Sequence, residues 1–118
     1  MAKNKSKIII LRFRIINKDI FEAIKNGKKK VETRAATERY RNIKAGDTAK
    51  LICGKDVFEM KVKKVAIFKS IVAILKKYKP ETINPKTHTV KEARGMWHSF
   101  PGYKDKIRKY GLIALELE

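Results

Sequence analysis

Residues 48–68 read TAKLICGKDVFEMKVKKVAIF, two runs of β character around a glycine turn. Thr48 to Cys53 is short and apolar, Gly54, Lys55 and Asp56 form a loop, and the run from Val57 to Phe68 alternates. Phe58, Met60 and Val62 fall on one side and Glu59, Lys61 and Lys63 on the other, the period-2 pattern of a half-buried strand. Two such runs around a short glycine loop make an antiparallel hairpin. Gly46-Asp47 supplies the tight turn that feeds it.

The chain on the N-terminal side adds a strand, a helix and a second strand. Lys7 to Ile15 is apolar and ends in alternation, with Leu11, Phe13 and Ile15 on one face and Arg12 and Arg14 on the other. Asn17 offers an N-cap oxygen, Ile20, Phe21 and Ile24 form a helical stripe, and Gly27 occupies the left-handed position past the helix end. Lys28 to Arg34 is a charged strand in which Val31 and Thr33 share a face, and Thr37 to Asn42 reads as a helical turn. Beyond the hairpin the period changes. Ser70 caps a helix carrying Ile71, Ile74, Leu75 and Tyr78 inward, halted by Pro80, and residues 79–88 read as a loop. Thr89 and Glu92 have capping-box spacing ahead of Val90, Ala93, Trp97 and Phe100. Pro101-Gly102 breaks that helix, Tyr103, Ile107 and Tyr110 mark another that ends at Gly111, and Leu112 to Glu118 closes the chain as a strand.

The class is α+β: a small mixed β-barrel with flanking short helices, since closure removes exposed strand edges. The terminal strands are expected to pair with each other or with a neighbour. Residues 1–6 read as a disordered N-terminus and residues 7–118 as one domain. At 118 residues there is room for one core and no need of a disulfide or metal to hold it. The apolar run at Ile8 to Leu11 is too short for a membrane span or a secretory core, and Cys53 is a lone cysteine, so a cytoplasmic setting is expected.

Charge points to the partner. Thirty Lys and Arg face twelve Asp and Glu, a formal +18. Such a field attracts polyanions, and each phosphate neutralised releases counterions. The absence of glutamine beside abundant Lys and Glu is thermophile-like, which accounts for the amount of charge but not its sign. RNA or a nucleotide-like anion is therefore the expected partner, and no membrane is called for. The basic runs are spread along the chain, which suits binding driven by the nucleic-acid backbone. His88 and His98 are ten residues apart with no third ligand nearby, so neither a metal nor another cofactor is expected.

Within Lys28 to Arg34, Glu32 and Arg34 are two apart and share a strand face. A carboxylate there accepts hydrogen bonds from a base or amine edge, and the guanidinium fork suits a phosphate. Taken alone, the spacing equally describes an exposed charge ladder of little energetic weight. Lys29, flanked by Lys28 and Lys30, approaches the same face. Trp97, Phe100 and Tyr103 fit a core stripe, and Trp97 and Tyr103 are the candidates for stacking on a base.

The segment Gly27-Lys28-Lys29-Lys30-Val31-Glu32-Thr33-Arg34 matches G-x-K-x-x-E-x-R, the pattern that marks ASCH domains, and follows a strand and a helix as in that family. Ile43-Lys44-Ala45-Gly46-Asp47, Phe100-Pro101-Gly102-Tyr103 and Gly111-Leu112-Ile113-Ala114-Leu115 also resemble ASCH text, so the likeness spans residues 8–118. The resemblance implies a PUA-like β-barrel with a cleft lined by the motif, and RNA binding in that cleft. It also implies an alternative, because some small bacterial members are amidohydrolases acting on N4-acetylcytidine through a Lys, a Thr and a Glu. Lys29 matches that lysine and, with Glu32, is the catalytic candidate. Glu32 stands where the threonine is expected, Thr33 points to the other face, and Asn84-Pro85-Lys86 carries no carboxylate where the glutamate would fall.

Overall fold

In a computed structural model, which describes residues 6–118, the longest strand serves two partners; the tail expected over residues 1–6 lies, for residues 1–5, outside the described residues. This strand is β4 (Asp56–Phe68). Its first half pairs antiparallel with β3 (Thr48–Cys53), from Cys53 opposite Asp56 to Thr48 opposite Lys61. Its second half pairs antiparallel with β5 (Leu112–Leu117), from Val62 opposite Leu117 to Phe68 opposite Leu112. Between Val62 and Lys64 the register shifts. An extra residue in one strand bends it and increases its twist, so β4 turns the corner between the two halves of the sheet.

β1 (Ile8–Phe13) lies parallel to β3, and β2 (Val31–Ala35) lies antiparallel to β5. The order is β1-β3-β4-β5-β2, a five-stranded sheet curled into a half-barrel. Closure was the expectation, but β1 and β2 remain as edges facing across a gap. The terminal strands do not pair with each other: β1 takes the edge beside β3, and β5 lies inside the sheet.

The hairpin loop is shorter than expected. Cys53 pairs with Asp56, leaving Gly54 and Lys55 as the two-residue turn. Gly54 has φ +60° and no non-glycine among the described residues has positive φ, the pattern of a II′ turn.

Helix α1 (Lys18–Lys25) crosses from β1 toward β2 and buries Phe21 and Ile24. Asn17 stands at its N-cap position, but its side chain accepts no capping bond. Gly27 follows at φ +83° and reverses the chain. The strand expected from Lys28 starts only at Val31, and the one expected to reach Ile15 ends at Phe13. Ile15 enters a 3-10 turn and is exposed rather than inward.

The remaining helices are α2 (Ile71–Lys77), α3 (Pro80–Ile83), α4 (Val90–Ser99) and α5 (Tyr103–Tyr110). α3 occupies part of the expected loop, because Pro80 fits the first helical position, where no N–H is needed. Ser70 and the Thr89/Glu92 capping box act as read from the sequence. Val90 is exposed rather than inward, since the buried stripe of α4 runs through Ala93 and Trp97.

β5 separates two cores. Ile113, Leu115 and Leu117 join Leu11, Phe21, Ile24, Leu51 and Val62 inside the curl. Leu112 and Ala114 face the helices, with Val31, Ile74, Ile83, Trp97 and Ile107. Burial of both faces explains the near-continuous apolar text LIAL at its start. No helix among the described residues is long and apolar enough to cross a membrane.

Two glycines separate packing from propensity. Gly111 has φ +79°, and a Cβ there would lie 2.2 Å from the Phe68 carbonyl oxygen. Gly95 lies in α4 with nothing within 4 Å of its Cβ position. Gly111→Ala should cost about 3 kcal/mol or more, through left-handed strain and a displaced β4–β5 junction. Gly95→Ala should gain about 0.5–1 kcal/mol, as an exposed helical site does. Urea denaturation of both variants checks the contrast.

Tyr78 closes α2 onto the sheet by donating its hydroxyl to Glu116 Oε2 at 2.7 Å. Burial first, and then that carboxylate, push the phenol up to about 12. The protonated phenol therefore stabilises the fold fully below its ordinary pKa of about 10, and this contribution is lost as pH rises through about 12. In an alkaline titration followed by phenolate absorbance, Tyr78 should ionise last, and Tyr78→Phe should remove that final step.

Candidate functional site

The motif strand carries its charges into the curl. In the β2–β5 register Glu32 stands opposite Leu115 and Arg34 opposite Ile113, and both partners belong to the inner core. Neighbours across a pair share a face, so Glu32 and Arg34 point to the concave side. Val31 and Thr33 point the other way, toward the helices. There Thr33 Oγ1 accepts a hydrogen bond from Trp97 Nε1 at 2.9 Å.

Glu32 is 5% exposed and binds two cations with its two oxygens. Oε1 lies 3.3 Å from Lys29 Nζ, and Oε2 accepts Arg34 Nε at 2.9 Å. Lys29 is 3% exposed, and its ammonium also donates to the carbonyls of Val31 and Ile83. Three acceptors thus meet its three protons. Burial pulls the Lys29 ammonium below the ordinary lysine range, and the Glu32 carboxylate opposes that shift.

Arg34 is held differently. Its guanidinium lies 4.8 Å from the Phe13 ring centroid and 5.6 Å from that of Tyr40, and one terminal nitrogen donates to the Tyr40 hydroxyl at 3.3 Å. Burial works against its charge, but the Glu32 carboxylate together with the Tyr40 and Tyr103 phenols outweighs it and raises its pKa. The bonds to Glu32 and Tyr40 use two of its five donors, and among the described residues no other acceptor is bonded to it. Phe13 lies on β1, so this cation–π contact reaches across the open side of the half-barrel.

Above the trio is a cleft of about 150 Å³. A cavity of that size accommodates a benzene-sized ring. Lys29, Glu32, Arg34 and Tyr103 all line it, together with Phe13, Asn84, Met96 and Phe100, and Arg12 and Arg14 stand at its β1 side. Burial raises the Tyr103 phenol, with Arg34 opposing.

Of the residues singled out from the sequence, four therefore converge. Lys28 and Lys30 are exposed and do not line this cleft. Trp97 is fully buried among the helices with its indole N–H engaged, so it packs rather than offering a face to a base. Sequence reading missed Phe13, Tyr40 and Asn84. The alternation in β1 placed Phe13 inward, but only the juxtaposition of the two sheet edges brings it under Arg34. His88 and His98 are exposed, and no cluster of three metal-ligating side chains occurs among the described residues.

Chemically, the trio is a buried carboxylate clamped by two cations, with net charge +1. A lysine acting as base or nucleophile needs a free lone pair, and here two carbonyls accept from the ammonium and the Glu32 carboxylate lies 3.3 Å from it. The guanidinium fork is the group left to meet a ligand.

The crystal structure of hypothetical protein PH0355 is similar to this fold, with a TM-score of 0.79 at 30% identity over 97% of this chain and 98% of that one. The solution structure of protein PF0455 from Pyrococcus furiosus is similar as well, with a TM-score of 0.73 at 29% identity over 94% of this chain and 96% of that one. No protein-family model matches the sequence, and no curated protein matches it.

Removing one member of a buried charge network leaves the others uncompensated. Lys29→Met strips donors from two carbonyls and one counter-charge from Glu32, and should cost about 3–5 kcal/mol in urea denaturation. A cost under about 1 kcal/mol would show that Lys29 does not hold the cleft together.

Proposed function

The chain belongs to one family with hypothetical protein PH0355, and from that premise we propose that it is an RNA-binding domain of PUA-like, ASCH type whose ligand enters the cleft over Glu32 and Arg34. Family membership supplies the fold and no activity, so the function is argued from the site. One observation carries it: a guanidinium lies against two aromatic rings in a ring-sized cleft, with donors to spare. Flat groups stack on arginine and aromatic faces, and the fork binds phosphate or a base edge. The resemblance of residues 27–34 to the G-x-K-x-x-E-x-R pattern supports the same cleft.

The +18 surface supplies the long-range part. Phosphate contacts made by scattered lysines position a nucleic acid without reading its sequence, and the cleft adds one local point of selection. The amidohydrolase alternative gains less from the geometry. Lys29 is met by two carbonyls and the Glu32 carboxylate, and Thr33, though it lines the cleft, has its hydroxyl bonded to Trp97.

Binding of labelled single-stranded RNA across a salt series tests the proposal. The logarithm of affinity should fall steeply and linearly with the logarithm of salt concentration. Arg34→Ala should weaken binding about tenfold, within the range for a specific arginine contact. Arg34→Lys should restore little, because the fork and the stacking are lost. A flat salt response, or an Arg34→Ala variant that binds like the natural chain, overturns the reading.

A further inference from the structure

Beside the cleft, two segments that contribute lining residues are joined by an ion pair whose own members do not line it. Asp19 opens α1 between Asn17 and Ile20, both of which line the cleft. Lys86 follows Ile83 and Asn84, which line the opposite wall. The Lys86 ammonium contacts Asp19 Oδ2, and the two side chains are 71% and 42% exposed. This is a contact in water, of the kind whose net stabilisation is small.

The backbone that presents Lys86 is held firmly. Asn84 Oδ1 accepts the Lys86 amide at 2.9 Å, and buried Thr87 donates its hydroxyl toward the carbonyls of Pro80 and Asn84. The lysine side chain itself is 71% exposed, with Asp19 as its ion-pair partner. Asp19 is fixed too, with Oδ1 accepting the Ile20 amide at 2.9 Å. The cleft itself is cationic: Arg12, Arg14, Lys29 and Arg34 line it, against Glu32 alone. The Asp19 carboxylate beside it is engaged by Lys86 and so occupies a cation that a polyanion entering the cleft could use.

We propose that Lys86 is a phosphate-binding residue of the cleft whose site is filled, in the absence of ligand, by the Asp19 carboxylate, so that the pair is a clasp opened by an incoming phosphate. The inference rests on the cleft being the RNA site, and it names a contact and a competitor that the floor residues do not supply. A phosphate offers Lys86 the same oxygen chemistry with more charge. Asp19 thus sets a threshold: weakly anionic ligands leave the clasp shut, and polyphosphate-bearing ones exchange for it.

The test is a double-mutant cycle on the full chain, using anisotropy of a labelled single-stranded oligoribonucleotide, with melting temperatures as the control on folding. Asp19→Asn keeps the acceptor for Ile20 and removes the charge. It should tighten binding about two- to fivefold, the worth of one exposed pair. Lys86→Ala should weaken binding and lower the salt slope by about 0.7, one single-strand phosphate contact. In the Lys86→Ala background, Asp19→Asn should change nothing, because Asp19 acts only through Lys86. Equal tightening in both backgrounds would reveal a bulk charge effect and overturn the clasp, as would no tightening in either. Calorimetry with inorganic tripolyphosphate separates this proposal from the one it rests on. If the natural chain binds no RNA, yet Asp19→Asn tightens tripolyphosphate only when Lys86 is present, the clasp stands and the RNA reading falls. If tripolyphosphate binding is also indifferent to Asp19, both fall.

Discussion

A single bulge in β4 sets the shape from which everything else follows. Because the register slips between Val62 and Lys64, one strand can hydrogen-bond β3 with its first half and β5 with its second. A bend at that point curls the sheet and brings β1 and β2 to face each other without pairing. Unpaired edges expose polar backbone, and proteins cover or blunt them. Here a charge meets the β2 edge: the Lys29 ammonium takes the Val31 carbonyl. The cleft lies beside it, lined by Glu32 and Arg34.

Burying three charges in the gap has an energetic logic. A carboxylate with a single cation leaves lone pairs unsatisfied, whereas Glu32 meets Lys29 on one oxygen and Arg34 on the other. The carbonyls of Val31 and Ile83 complete Lys29, and the ring faces of Phe13 and Tyr40 flank Arg34. No buried side-chain nitrogen or oxygen among the described residues lacks a partner. Fully satisfied networks of this kind specify one arrangement, since any partial version leaves a bare charge in a poorly solvated place. Lys29 positions, Glu32 links, and Arg34 is the member with donors left over.

Much of this was legible in the residues. The alternation in residues 48–68 gave the hairpin, and the i, i+2 spacing put Glu32 and Arg34 on one face. The face they share could not be read, because an isolated VETRA segment is equally consistent with an exposed ladder. Burial came from the opposite partners, Leu115 and Ile113, which are 83 and 79 places away along the chain but adjacent in the sheet. The missed bulge has a similar cause: Val62-Lys63-Lys64-Val65 breaks alternation, but a broken pattern does not say which neighbour the strand pairs with. Trp97 was ambiguous for a plainer reason. An aromatic at helical spacing serves core and ligand alike, and the Thr33 hydroxyl that claims its indole N–H lies on another element.

The scarcity of acids sharpens the functional argument. In a chain with twelve carboxylates, several are bound to neutral donors instead of cations. Buried Asp47 accepts the amides of Lys7 and Lys44, Glu92 accepts those of His88 and Thr89, and Glu116 accepts the Tyr78 hydroxyl. Each holds a turn, a helix start or a helix end in place, so these groups shape the fold and neutralise little. The ion pairs among the described residues use only Asp19, Glu32, Asp56 and Asp105 as acids. A surface selected merely for ion-pair networks would deploy acids against its lysines. Here several carboxylates hold the backbone, and most of the positive charge has no acid paired with it among the described residues. Two of the four paired acids, Glu32 and Asp19, sit at or beside the cleft that Arg34 lines. On the reading proposed above, acids placed there let a cationic cleft fold without its anion and give way when the anion arrives.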